Sequence, residues 1–197
     1  MTTIAILGTG NMGSGLANRL AGKANLVIGS RTPEAGQLTY ADAVAKADIV
    51  VLALPYDAAL EAAKSLSLAG KTVVDMTNPV KADYSGLQLG HTTSAAEELQ
   101  KLAPSANIVK AFNTIFAGLF AAPASETQAV PVFVAGNDEA AVDAVADLAR
   151  TAGFAVENAG TLDAARLIEP VGMLNIRFGF GLGRGTSIAP TWLKLAA

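Results

Sequence analysis

The segment Gly8-Thr9-Gly10-Asn11-Met12-Gly13 combines residue types and a spacing that could do chemistry. In a G-x-G-x-x-G run the first glycine allows a tight turn, the second lets backbone approach a pyrophosphate, and the third permits close contact between helix and strand. Nineteen glycines make a chance match realistic, so context must decide. The apolar run Thr3 to Leu7 precedes the motif, and Leu16, Ala17, Leu20 and Ala21 recur after it at helical spacing until Gly22. A strand, a glycine turn and a helix N-terminus in that order aim free amides and a helix dipole at a phosphate. The reading is dinucleotide binding; the competing one is a purely structural glycine turn.

The choice of dinucleotide is read at the end of the second strand, where an NAD site places an acidic residue. This chain has Gly29-Ser30-Arg31-Thr32. A hydroxyl and a guanidinium suit a 2′-phosphate that a carboxylate would repel, so the pair reads as NADP. The alternative for Arg31 is a solvated surface side chain. Glu34, the nearest acid, belongs to Thr32-Pro33-Glu34, which reads as N-cap, first helical position and dipole-matching acid.

A conventional acid, base or nucleophile is harder to find. The chain has no cysteine and one histidine, which excludes thiol catalysis, disulfides and a self-contained zinc site. Tyr40, Tyr56 and Tyr84 lack a Tyr-x-x-x-Lys arrangement, and His91 has no carboxylate placed to orient it. Asp57 and Glu61 read as a solvated helix face, and Arg166 and Glu169, three apart, as a pair on one helix. Asn175 differs, because a neutral polar residue inside an apolar helix needs a hydrogen-bond partner. It bridges to a partner subunit or lines a second site.

These residues require an alternating scaffold. Strands are expected at Asn25 to Gly29, Gln37 to Tyr40, Asp48 to Leu54, Lys71 to Met76, Ile108 to Phe112, Val130 to Ala135 and Phe154 to Glu157. Between them lie a helical stripe of Ala59, Ala62, Ala63 and Leu66, a capping box at Ser94 to Glu97, and a helix capped near Asn137-Asp138. The second crossover is too short for a full helix. Strands separated by helices predict an α/β fold: a Rossmann-type, doubly wound, mainly parallel sheet with helices on both faces, extra edge strands and a C-terminal helix. We read one domain over 1–197, with a dinucleotide-binding core over 1–112 and edge strands plus the terminal helix over 113–197. That helix, Asp163 to about Phe178, is apolar nearly all round and needs two partners, the second most simply another subunit. The glycine-rich run 179–185 is either a lid segment or a disordered end.

Composition sets the remaining bounds. Hydrophobic residues make up 51% and charged ones 16%, so the chain can build a core unaided. A net charge of −3 gives no field for a polyanion, and nucleic acid is not expected. With no basic leader and no apolar run near the ~20 residues of a membrane span, a cytoplasmic location without membrane contact is the expectation.

Together, Gly8 to Gly13, Gly29-Ser30-Arg31, Leu54-Pro55, Asn78-Pro79, Lys110-Ala111-Phe112-Asn113-Thr114 and Leu167 to Asn175 resemble the NADPH-dependent deazaflavin (coenzyme F-420) reductase family over nearly the whole chain. Lys-Ala-Phe-Asn-Thr with the late Leu-Asn-Ile helix is the more specific part. The resemblance implies a homodimer with NADP along the strand carboxyl ends and a second cofactor, F-420, stacked over the nicotinamide. It implies that Thr9, Asn11, Met12, Ser30 and Arg31 hold NADP, with Gly8, Gly10 and Gly13 shaping the turn. Leu54, Pro55, Asn78 and Pro79 would flank the nicotinamide, and Asn113, Thr114 and Ile115 the second ring. Hydride transfer between stacked rings needs alignment and no obligatory acid, in keeping with the residues found. Two other functions compete: an NADPH-dependent reductase of a flavin or a small carbonyl or imine, and a non-catalytic NADP(H) sensor whose terminal helix engages a partner.

Overall fold

The computed structural model describes residues 2–193. The chain runs β1 (Thr3–Leu7), α1 (Asn11–Leu20), β2 (Asn25–Ser30), β3 (Leu38–Thr39), α2 (Tyr40–Lys46), β4 (Ile49–Leu52), α3 (Tyr56–Ser65) and β5 (Thr72–Asp75). It continues through α4 (Ala95–Leu102), β6 (Asn107–Lys110), the short α5 (Gly118–Ala121) and α6 (Ala124–Thr127), β7 (Pro131–Gly136), α7 (Glu139–Thr151) and β8 (Ala155–Asn158). A 3-10 turn leads into α8 (Ala165–Ile176), which passes into a π-helical turn over Arg177–Gly181.

Eight strands form one sheet in the order β3-β2-β1-β4-β5-β6-β7-β8. The strands from β3 to β6 are parallel neighbours, β7 runs antiparallel to β6, and β8 parallels β7. Alternation along β1 explains the two layers: Ile4 and Ile6 enter one core with Leu16, Val51, Val109 and Leu148, while Ala5 and Leu7 enter the other with Val50, Ala59, Val73 and Leu99. Both faces are covered, as the near-continuous apolar strands require. The expected Rossmann-type doubly wound sheet is the fold observed. Among the described residues no helix is long and apolar enough to cross a membrane.

Some local expectations need correction. No helix starts at Thr32-Pro33-Glu34; the Glu34 amide donates to Gln37 Oε1 and the Gln37 amide to the Glu34 carbonyl, closing a turn. Residues 31–37 must reach β3 beside β2, which leaves no room for a helix, and the cap is Thr39, whose hydroxyl accepts from the Asp42 amide at 3.2 Å. Strand β6 ends at Lys110 rather than Phe112, because Phe112 adopts a left-handed backbone with φ 64°. The glycine-rich run is folded: Arg184 and Gly185 amides donate back to the Phe178 and Gly179 carbonyls.

The connection after β6 is fastened to α1. Arg19 donates to the carbonyls of Leu119, Phe120 and Ala122 at 2.8, 2.8 and 2.6 Å, and Gly15 lies against the Phe120 ring. Buried backbone carbonyls off the regular ladders need such donors.

Candidate active site

The order of strand addition reverses at β1, since β2 lies on one side of it and β4 on the other, and in open α/β sheets ligands bind beyond the strand carboxyl ends at such a point. The glycine turn stands there. Gly8 has φ 112°, and a Cβ on it would collide with the Ala53 carbonyl, while a Cβ on Gly13 would collide with the Gly8 carbonyl. Gly10 differs, because nothing lies within 4 Å of the place its Cβ would take. It forms the N-cap of α1 with no side chain capping it, so the first amides of the helix lie beside Thr9 and Asn11, both exposed, and half-buried Met12. Two glycines are thus needed for packing and the third borders open space.

At the end of β2 the Ser30 hydroxyl donates to the Thr32 carbonyl at 3.1 Å. Arg31 is exposed and makes no hydrogen bond or ion pair among the described residues. Burial raises the Tyr40 hydroxyl pKa, and the nearby Arg31 charge works against that rise. Across the turn, Leu54 lies against Gly8, and Pro55 is the exposed N-cap of α3.

A cleft of about 530 Å³ opens from Asn11 and Met12 to Asn78, Asn113 and α8. Met76, Phe112, Ile115 and Ile176 supply apolar wall, and Asn175 and Thr114 polar points. Asn78 and Asn113 bond each other: Asn78 Nδ2 donates to the Asn113 carbonyl at 2.7 Å and Asn113 Nδ2 to Asn78 Oδ1 at 2.9 Å. Asn175 Nδ2 donates to the Thr114 carbonyl at 3.0 Å, and Asn175 is among the residues lining the cleft. Pro79, buried, continues from Asn78, and its carbonyl accepts from the Gln88 amide. Asn113 Oδ1 and Thr114 Oγ1 are buried without a hydrogen-bond partner among the described residues. The open Gly10 at the uncapped start of α1 suits the pyrophosphate of a bound dinucleotide.

Behind the cleft is a cluster that the sequence reading missed. Lys110 is fully buried and pairs with Asp75 at 2.7 Å and Glu169 at 2.8 Å. Burial works to lower the Lys110 ammonium pKa, but the two carboxylates hold it above its ordinary value; burial pushes the Glu169 carboxyl up against the pull of Lys110. The expected Arg166–Glu169 pair is therefore absent: Arg166 instead makes a two-pronged contact with Glu97 on α4. A lysine inside the apolar strand Ile108 to Phe112 was the available signal. His91 is exposed beside a separate shallow cleft with Arg166 and Met173, and Glu61 pairs with Lys64 on the surface. Burial, with Glu98 and Glu169 nearby, pushes the Tyr56 hydroxyl up to about 12, which makes it a poorer proton donor at neutral pH. Among the described residues no cluster could hold a metal ion.

A glycine turn at the topological switch point, opening into a largely apolar cleft, defines a Rossmann-type dinucleotide-binding protein. The chain belongs to the family described as NADP oxidoreductase, coenzyme F420-dependent, whose profile matches residues 3–79. It is 31% identical to the F420-dependent NADP reductase of Methanocaldococcus jannaschii over 98% of this chain and 99% of that one. It is also 33% identical to the metalloreductase STEAP3 of Rattus norvegicus over 85% of this chain, which spans only 36% of that relative's length. A candidate F420-dependent NADP-reductase from Arthrobacter sp. FB24 superposes with a TM-score of 0.84 at 31% identity, covering 98% of this chain and all of the other.

Proposed function

We propose that this chain transfers hydride between NADP(H) and a deazaflavin stacked against the nicotinamide. The observation that carries the reading is the cleft, which joins the N-terminus of α1 to the Asn78–Asn113 pair. In this reading Gly8, Thr9, Gly10, Asn11, Met12 and Gly13 receive the pyrophosphate. Ser30 and Arg31 receive the 2′-phosphate, and Leu54, Pro55, Asn78 and Pro79 flank the nicotinamide. Asn113, Thr114, Ile115 and Asn175 form the wall toward the second ring.

When bound, NADPH supplies the hydride. The chain's own part is to hold the rings, keep water out with Met76, Phe112 and Ile115, and offer polar contacts at fixed heights from Asn113 and Thr114. Two flat rings need close approach and correct facing more than proton transfer, which fits a cleft lined mainly by apolar and amide side chains. The Methanocaldococcus relative, whose name states F420 dependence, matches end to end, whereas the metalloreductase is far longer; this supports the deazaflavin over other acceptors. We take the whole chain, 1–197, as one NADP-binding domain acting in the cytoplasm.

The test is NADPH oxidation with deazaflavin, flavin and carbonyl or imine acceptors offered separately. Turnover with deazaflavin at least tenfold above the others in kcat/KM, about 1.4 kcal/mol, is expected. Turnover with flavin or carbonyl alone would reassign the acceptor, and tight NADP binding without turnover would make the protein a sensor.

A further inference from the structure

Lys110 has a complete set of partners. An ammonium has three protons to donate and no lone pair to offer. The Thr77 carbonyl accepts one at 2.8 Å, and Asp75 Oδ2 and Glu169 Oε1 stand against the ammonium as ion-pair partners at 2.7 and 2.8 Å. The ammonium is fully buried, so no ligand reaches it and its chemistry is internal.

Its location shows what that chemistry serves. Asp75 and Lys110 are register partners at the ends of the parallel strands β5 and β6. Three residues beyond each stand Asn78 and Asn113, the two that bond each other in the cleft. Glu169 adds a third and a fourth element: it lies on α8, and its Oε2 accepts the Ala95 amide at the start of α4 at 3.1 Å. The Ile168 carbonyl, next to Glu169, accepts from Asn113 Nδ2 at 3.2 Å. Two loops, a helix face and a helix N-terminus therefore meet at one buried cation.

A cluster of two carboxylates and one ammonium is a costly way to hold a fold. Well-packed apolar side chains of similar volume commonly stabilise as much or more, so a buried ion cluster is weak ground for a stability role. A rigid ion cluster does fix distances and orientations that apolar packing leaves adjustable.

We propose that Lys110, clamped by Asp75 and Glu169, is a positioning residue that sets the Asn78–Asn113 pair, and through it the height at which two rings meet in the cleft. This rests on the reading of the cleft as a hydride-transfer site. Lys110 touches neither ring and acts only through the asparagines.

The test reads the asparagines directly. In 15N-labelled protein, the side-chain amide signals of Asn78 and Asn113 report their mutual bonds with no substrate present. In Glu169→Gln, which keeps the shape and removes the charge, both signals should shift and exchange faster with solvent. NADPH affinity should change by no more than about threefold, while kcat for hydride transfer falls by about tenfold or more, the scale of loss from small misplacements. Asn78→Ala combined with Glu169→Gln should lose no more than Asn78→Ala alone, because both act through one contact. Lys110→Met is the stronger probe; if it does not fold, Glu169→Gln still decides. A lowered melting temperature with unmoved amide signals and unchanged kcat would reduce the cluster to a structural role and overturn the proposal. Failure of the unaltered protein to bind NADPH would instead strike at the functional reading, and the amide signals would still report on the positioning.

Discussion

Arg31 offers a charge without a partner among the described residues, at the position where β2 leaves the sheet beside the glycine turn. A guanidinium there favours a phosphate monoester by charge-assisted hydrogen bonds, and an aspartate would repel it. Arg31→Asp should therefore lose about 2–4 kcal/mol of preference for NADP over NAD. Dissociation constants for both nucleotides, measured by titration, check this, and an unchanged ratio would remove Arg31 from the site. Gly10 gives the second test at this scale. Because its Cβ direction is open, Gly10→Val should fold normally yet block the backbone approach and abolish NADPH binding, whereas unaltered affinity would contradict the fingerprint. Both residues were legible in the sequence, since a glycine spacing and a charge at a strand end are local patterns. Lys110, Asp75 and Glu169 were not, because their meaning lies in partners 35 to 94 positions apart along the chain.

At the level of elements, α8 packs against the two asparagine loops because one of its positions, Gly172, carries no side chain. A Cβ on Gly172 would lie 2.7 Å from Asn78 Oδ1 and 2.8 Å from the Asn113 carbonyl. Gly172→Ala must push the helix or the asparagine loops apart. It should cost about 1–3 kcal/mol of stability, as other insertions into tight packing do, and the loss should appear in denaturant unfolding. A variant as stable as the parent would mean that the contact is loose. The doubly wound, mainly parallel sheet and the helices α1, α3, α4, α7 and α8 could be read from alternation, and the capping box was right: Ser94 Oγ accepts the Glu97 amide at 3.2 Å. The capping motif at Thr32 misled, since capping residues serve turns as well as helices. The end of β6 was missed because nothing in Phe112 announces a left-handed backbone.

On the scale of the whole molecule, the terminal helix does not bury all its apolar residues. Ile168 is buried, Ile176 lines the cleft, and Leu167 and Leu174 remain 69% and 49% exposed on an outer face. Leu167 and Val171 flank an apolar recess with Phe133 and Trp192. We propose a homodimer that covers this face. Light scattering should give about 40 kDa for an isologous pair, against 20.0 kDa for one chain, and Leu167→Asp should halve it. A monomer at micromolar concentration would contradict the dimer. Ile176, which periodicity alone would have offered as a second probe, belongs to the cleft and would confuse assembly with binding.

The proposed reaction is direct passage of hydride from NADPH to a deazaflavin held in one cleft. Its most direct measurement is isotopic: NADPH carrying deuterium on the transferred position of the nicotinamide is mixed with oxidised deazaflavin and the protein, and the reduced product is weighed by mass spectrometry. Direct transfer predicts one deuterium on the deazaflavin carbon that receives the hydride, while the N–H proton that completes the reduction comes from solvent and exchanges with it. Reduced deazaflavin without the label, or NADPH that binds and stays unoxidised beside the deazaflavin, would contradict it.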